Sequence, residues 1–314
     1  MSQNKKTTCP LSIVLITLGI LVALSGLFFA LGGQELLNQK NKLAKTSINE
    51  SIDKNLPNLA EPLLKKVVQP FKVPELSSVP TDKYGESILR GKDFLEHTFE
   101  KLPQYVGAKI NCTNCHLNSG TTQFAGPWIG VVARFPQYRS RSGKVDTLTD
   151  RVNDCFERSL SGHRLPEKSS EMTDIISYMT WLSKGYAIGQ DIQGSGMPKI
   201  VLDRLPDLKT GRSIYESKCA SCHQNNGQGL YTENGQVTYP ALWGSKSFNI
   251  GAGMARLQTA AGFVKKNMPL GQGGSLSDDE AWDVAGYFSQ QSRPDFKNKM
   301  KDWPKGDRPK DARY

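Results

Sequence analysis

The sequence predicts an all-α protein, two similar helical units in tandem behind an N-terminal apolar segment and a linker. Three observations carry this. A Cys-x-x-Cys-His motif occurs twice, as Cys112-Thr113-Asn114-Cys115-His116 and as Cys219-Ala220-Ser221-Cys222-His223. The flanks of the two copies repeat as well: Arg90-Gly91-Lys92-Asp93-Phe94 is similar to Thr210-Gly211-Arg212-Ser213-Ile214, and Asp174-Ile175-Ile176-Ser177-Tyr178-Met179 to Asp283-Val284-Ala285-Gly286-Tyr287-Phe288. Apolar residues in these flanks recur at the spacing of a helix with one buried face.

Residues 1–10 carry Lys5 and Lys6 and no acidic residue, and residues 11–31 are apolar apart from Ser, Thr and Gly. A run of that length suits a membrane span, which needs about 20 residues, better than the shorter core of a cleaved signal peptide. Ala30 and Gly32 keep cleavage open as the alternative. The lysines put the N-terminus on the cytoplasmic side, so both readings export the body to the periplasmic side of the inner membrane. Residues 32–80 are polar and contain Pro57, Pro62, Pro70, Pro74 and Pro80, which reads as a spacer, with an ordered arm wrapping the first unit as the alternative. The first unit is expected over residues 81–195 and the second over 196–292, divided in the turn-rich Gly194-Ser195-Gly196-Met197-Pro198. In each unit Arg90-Gly91 or Thr210-Gly211 is expected to open a helix. Residues 293–314 mix Lys, Arg, Asp and Pro without apolar periodicity and are expected to form a loosely packed tail.

Cys-x-x-Cys-His is the attachment sequence of c-type haem. Its thiols lie one turn apart beside the imidazole, so they can add to two vinyl groups while the His turns onto the iron. A zinc site would need further paired ligands, and a redox dithiol would need neither the His nor the repeat. Two covalent haems are therefore expected, on Cys112, Cys115, Cys219 and Cys222, with His116 and His223 as proximal ligands. Helix, haem motif, loop, distal ligand, helix is the order of a class I cytochrome c domain.

The distal ligands differ between the units. In the second, Met268 of Asn267-Met268-Pro269 is the expected sixth ligand, with Met254 as its competitor. The first has no Met at the matching place, because Met172 and Met179 align with Ala281 and Phe288 as packing residues. Its loop offers Cys155 and His163 instead. Of 6 cysteines, four attach haem and Cys9 precedes the apolar segment, so Cys155 is the one unattached exported thiol. A thiolate on iron stabilises the ferric state and is also a nucleophile; the bland alternative is a buried inert thiol. Arg134, Arg139, Arg141, Lys144 and Arg151 precede Cys155. Several arginines beside a thiolate suit a small anion, although a solvated basic face or a docking patch explains the same cluster.

Together the two haem motifs, Asp154-Cys155-Phe156-Glu157-Arg158-Ser159, Asn267-Met268-Pro269 and Ser247-Phe248-Asn249-Ile250-Gly251-Ala252-Gly253-Met254 resemble the dihaem thiosulfate dehydrogenases over roughly residues 80–292. The resemblance implies that two thiosulfate anions are joined to tetrathionate at a haem ligated by His116 and Cys155, a reaction that members of the family can also run in reverse as tetrathionate reductases. Electrons would leave through a haem ligated by His223 and Met268. It implies Arg141 and Arg151 as anion-binding residues, with Ser159 a further candidate. Some relatives carry a Lys immediately before the distal Met that exchanges with it. Here Asn267 stands there, with Lys265 and Lys266 upstream, so plain His/Met ligation is expected.

The chain has 314 residues, 38% apolar and 22% charged, with 40 Lys+Arg against 30 Asp+Glu for a net charge of +10. That suits folded domains and excludes both wholesale disorder and a multi-span membrane protein. Export and covalent haem argue against nucleic acid as the reason for the basic balance. A soluble or membrane-bound redox partner, a cytochrome c or similar, is expected. The rival readings are a tethered dihaem electron carrier without substrate chemistry, and a sulfur-carrier cytochrome using Cys155 on another substrate.

Overall fold

A computed structural model describes residues 68–314 together with the isolated Gln39. The apolar segment 11–31, expected as an anchor, lies outside the described residues, and no helix among the described residues is long and apolar enough to cross a membrane.

Six helices of eleven residues or more build the described part in two lobes. The first holds α1 (Lys83–Glu96), α2 (Leu148–Arg158) and α3 (Ser170–Leu182). The second holds α4 (Leu208–Lys218), α5 (Leu257–Asn267) and α6 (Asp278–Ser289). Polar residues fix where most of these start. Asp82 caps α1, Ser169 caps α3 and Asp207 caps α4, while Thr147 with Asp150 and Ser277 with Glu280 form reciprocal capping boxes at α2 and α6.

The internal repeat has a physical cause, and it differs from the expected one. Arg90-Gly91 lies inside α1 rather than opening it. A Cβ on Gly91 would stand 1.9 Å from the Asp174 carbonyl oxygen of α3, and one on Gly211 of α4 would stand 2.1 Å from the Asp283 carbonyl oxygen of α6. Each glycine marks the close crossing of a lobe's first and last helices. Each buried aspartate at that crossing is ion-paired, Asp174 with Arg90 at 2.8 Å and Asp283 with Arg204 at 2.7 Å.

The first core gathers Ile88, Leu95, Phe156, Ile175 and Tyr178; it also takes in Phe248, Ala252 and Ala255, from the half of the chain that otherwise builds the second lobe. Tyr215, Ala261, Leu276, Trp282 and Phe288 form the second core, and Met254 packs against both. Strand is confined to short pairs: β1 (Val68–Gln69) lies parallel to β4 (Asp191–Ile192), while β2 (Gln137–Arg139) with β3 (Lys144–Asp146) and β5 (Leu230–Tyr231) with β6 (Val237–Tyr239) are antiparallel.

Two segments expected to be loose are held down. Of the 32–80 spacer, residues 68–80 wrap the first lobe: Phe71 and Val79 pack on its core, and the Tyr186 hydroxyl donates to the Pro70 carbonyl at 3.0 Å while accepting from the Lys72 amide at 2.9 Å. In the 293–314 segment Phe296 and Trp303 are buried. Its Trp303 amide donates to the Arg141 carbonyl at 2.8 Å, and the Tyr314 hydroxyl to Asp302 at 2.5 Å. Anchoring through isolated aromatics and ion pairs leaves no periodic signature in the sequence, which is why the segment reads as a tail.

Candidate active site

Each Cys-x-x-Cys-His motif lines a cavity. In the first, of about 340 Å³, Cys112, Cys115 and His116 meet Cys155, which α2 carries in from the opposite side. In the second, of about 240 Å³, Cys219, Cys222 and His223 meet Met254 and Met268. The five described cysteines are all free of disulfides.

The histidines are oriented identically. His116 Nδ1 donates to the Gly126 carbonyl at 2.5 Å and His223 Nδ1 to the Pro240 carbonyl at 2.9 Å, which leaves Nε2 of each ring as the nitrogen available to an iron. Burial lowers the His223 pKa against the raising effect of that hydrogen bond, so the ring is neutral, as an iron ligand must be. The Trp128 ring stacks on His116 with centroids 4.9 Å apart. Paired thiols beside an oriented imidazole, in a pocket walled by residues such as Trp128, Met179 and Phe156, or Phe263, Val284 and Phe288, fit a covalently held haem in both lobes. Ile110 and Cys115 line both cavities, so the two groups would lie on either side of one shared wall.

Around Cys155 the first cavity is basic. Arg151 Nη1 donates to the Cys155 sulfur at 2.8 Å, and Arg134 and Arg139 line the same space. Burial would raise the Cys155 pKa. The Arg151 charge and the His116 ring, within hydrogen-bonding reach, overcome that and bring it to about 6, so the sulfur is a thiolate at neutral pH. Burial and the Arg151 charge in turn press the pKa values of Arg134 and Arg139 down, even though Arg139 Nε stands 3.8 Å from Asp146. Arg134 Nε and Arg139 Nε are buried without a hydrogen-bond acceptor. The arrangement offers a nucleophilic, metal-ligating sulfur beside guanidinium groups that an anion would satisfy.

The structure thus brings Arg151 and Ser159 to Cys155. Arg141 stands apart from Cys155. It lies in an adjoining cleft, where Nη1 donates to the Gly251 carbonyl at 2.5 Å, Nε stands 3.6 Å from Asp302, and the guanidinium stacks on Trp303 at 4.6 Å. Hairpin β2–β3 turns its side chain away from the thiolate, and sequence proximity could not reveal that. His163 is exposed and does not line the cavity. The residues missed as site members are Arg134 and Arg139, present in the basic run but not singled out, together with Gln137, Met197 and Thr259, which no local pattern marks. Next to Met268 in the chain, Asn267 is buried, donating to the Phe263 and Phe124 carbonyls at 3.1 and 3.4 Å. Lys265 is turned away to the Leu276 carbonyl at 2.5 Å.

Comparisons with known proteins agree with this division. Residues 101–188 match the family model described as SoxA/TsdA, cytochrome c domain, and residues 206–288 match that described as cytochrome C oxidase, cbb3-type, subunit III. A thiosulfate dehydrogenase of Psychrobacter arcticus is 46% identical over 77% of this chain and 74% of its own. One of Allochromatium vinosum is 45% identical over 71% of this chain and 84% of its own. Among solved structures, a thiosulfate dehydrogenase (TsdBA) from Marichromatium purpuratum in its as-isolated form superposes with a TM-score of 0.69 at 32% identity, covering 76% of this chain. The chain spans about half of that protein, 52% of its length.

Proposed function

The chain belongs to the thiosulfate dehydrogenase family, and from that premise we propose that Cys155 handles sulfur in a site joining two thiosulfate anions into tetrathionate. Cys112, Cys115 and His116 would hold one c-type haem and Cys219, Cys222 and His223 the other, and the two would supply one-electron acceptors for the reaction. His116 and Cys155 would ligate the first iron, His223 and Met268 the second. The observation that carries this reading is the meeting of His116 and an arginine-bonded Cys155 in one cavity. A plain electron carrier has no use for a thiolate there.

The chain's own residues account for the sulfur chemistry. The Cys155 thiolate bonds to the terminal sulfur of one thiosulfate, and two electrons leave, giving a cysteine S-thiosulfonate. A second thiosulfate attacks the sulfur attached to Cys155. The new sulfur–sulfur bond completes tetrathionate, the bond to Cys155 breaks, and the thiolate is restored. No proton is needed, and the balance is two thiosulfates to one tetrathionate and two electrons. Two dianions in close approach repel by several kcal/mol. Arg151, Arg139 and Arg134 offset that repulsion, and Ser159 can donate to a sulfonate oxygen. The wall of Ile110 and Cys115, which lines both cavities, is where electrons would cross on the way to a cytochrome c or similar partner.

Export to the periplasmic side of the inner membrane, with residues 11–31 as the anchor, completes the proposal. The apolar run and the lysines before it support that reading. Purified holoprotein given thiosulfate and a one-electron oxidant should form one tetrathionate per two thiosulfates and show the long-wavelength charge-transfer band of a thiolate-ligated ferric haem. No tetrathionate, or two plain His/Met spectra, refutes it. Recovery of the full chain in the soluble fraction, with the N-terminus trimmed near residue 32, refutes the anchor.

A further inference from the structure

Beside the cavity of Cys155 lies a cleft of about 400 Å³. The two are contiguous, because Arg139, Arg151, Ser159, Gln137 and Gly253 line both. The far side of the cleft is more basic than the near side. Arg141, Arg158, Lys199 and Arg256 line it, against one lining carboxylate, Asp154. Lys199 is exposed and has no carboxylate partner among the described residues. Arg158 Nε is buried without an acceptor, as Arg139 Nε is. The C-terminal segment closes the cleft with Trp303 and Pro309. That segment is itself held by the same cations, Arg158 bonding to Asp302 at 2.8 Å and Arg256 to Asp311 at 2.5 Å. Arg158 is also paired with Asp154 at 2.6 Å. Burial would lower its pKa, but Asp154 and Asp302 outweigh that and raise it, whereas burial lowers that of Arg141; the cation of the cleft left without a carboxylate among the described residues is Lys199.

We propose that this cleft is a second anion site, which binds a tetrahedral sulfur oxyanion through Lys199, Arg256 and Arg158 and delivers it to Cys155 past Arg139 and Arg151. The delivery step rests on the function proposed above; the binding step does not. The chemistry asks for such a site. The reaction consumes two identical dianions, and the first cavity must hold one of them beside the planar group attached to Cys112 and Cys115. The second then waits where the cavity opens into a basic space. Guanidinium and ammonium groups suit a sulfonate end bearing several acceptor oxygens. The unfilled Nε donors of Arg139 and Arg158 lie along the route.

Sulfate is a redox-inert probe of the same shape and charge. In calorimetric titration of the oxidised holoprotein at constant ionic strength, sulfate should bind the native chain, and the Lys199→Gln/Arg256→Gln double variant should bind it about tenfold or more weakly. The thiolate band of the first haem should not move. With thiosulfate as substrate the same variant should show its loss in KM rather than in kcat. Lys199→Gln alone, at an exposed position, keeps the test if loss of the Arg256–Asp311 pair impairs folding. The proposal is overturned if native protein binds no sulfate, as when a haem carboxylate already fills the cleft, or if the variants bind it as tightly as native protein. A native protein that binds sulfate in the cleft yet does not oxidise thiosulfate refutes the proposed function and leaves the anion site standing.

Discussion

From one turn back on the same helix, Arg151 donates a 2.8 Å hydrogen bond to the sulfur of Cys155. Arg151 has no carboxylate within ion-pairing distance among the described residues, so the thiolate is its nearest counter-charge. The i, i+4 spacing of α2 fixes this pair before any tertiary contact forms. Tertiary packing then buries it facing His116.

Replacing Cys155 with Gly removes the nucleophile and leaves both attachment motifs untouched. Thiosulfate oxidation should fall by about a thousandfold or more, while haem content by pyridine haemochrome stays at two per chain. A Cys155→Gly protein with near-native turnover contradicts the mechanism.

Arg151→Gln keeps the helix and removes the charge beside the sulfur. Turnover should drop at least about tenfold, and the thiolate charge-transfer band should shift. Arg151→Lys should recover part of the rate. Equal rates in the native and Gln proteins would show that Arg151 merely fills space.

Trp303 ties the C-terminal segment to Arg141 through a stacked contact at 4.6 Å. Truncating this buried ring to Ala should cost about 3 kcal/mol and expose residues 294–314 to limited proteolysis. A segment equally resistant in Trp303→Ala and native protein would show it to be held elsewhere.

At the helix crossings, Gly91→Ala and Gly211→Ala should each destabilise the protein. The new methyl meets a backbone oxygen that the partner helix holds in place. Overpacking of that kind costs about 1–3 kcal/mol, more than the roughly 1 kcal/mol that Ala gains over Gly in a helix. Denaturant midpoints that rise in both variants would disprove the tight crossing.

Acid should loosen the helix starts. Hydrogen bonds from Thr210 hold the Asp207 carboxyl below its ordinary value of 3.8, and a bond from Ser277 holds Glu280 below 4.5. Asp150 is raised by burial, but bonds from Thr147 and the Lys144 charge bring it below 3.8 overall. Groups depressed in the folded state stabilise it above their ordinary values and lose that contribution as pH falls through the folded ones. The carboxylate part of the fall in melting temperature should therefore come below about pH 4, after the earlier decline between about pH 7 and 5 that protonation of Cys155, held at about 6, brings. Glu280→Gln should flatten part of the fall. A melting temperature unchanged to about pH 3 would contradict the account.

Much of the site was legible because its parts are local in sequence. The haem motif packs its chemistry into five residues, and its duplication announced two lobes. Counting cysteines isolated Cys155, and the basic run before it together with the family resemblance pointed to Arg151. The place of Arg141 was not legible in that way. It sits as near to Cys155 in sequence as Arg139 does, yet Arg139 lines both the Cys155 cavity and the cleft beside it, whereas Arg141 lines the cleft alone. The packing of Phe248, Ala252 and Ala255 into the first core, and the burial of Phe296 and Trp303, left no periodic trace.

By itself the sequence determined that there are two haem-binding helical units and that one of them places a thiol where the other has a methionine. These follow from covalent motifs and i, i+4 geometry, which no long-range contact can rearrange. Only the tertiary structure decided which arginines reach that thiol and which form a cleft beside it, and that the last twenty residues close that cleft. Those outcomes depend on side chains from distant segments competing for the same buried carboxylates and carbonyls, and that competition is settled when the lobes pack.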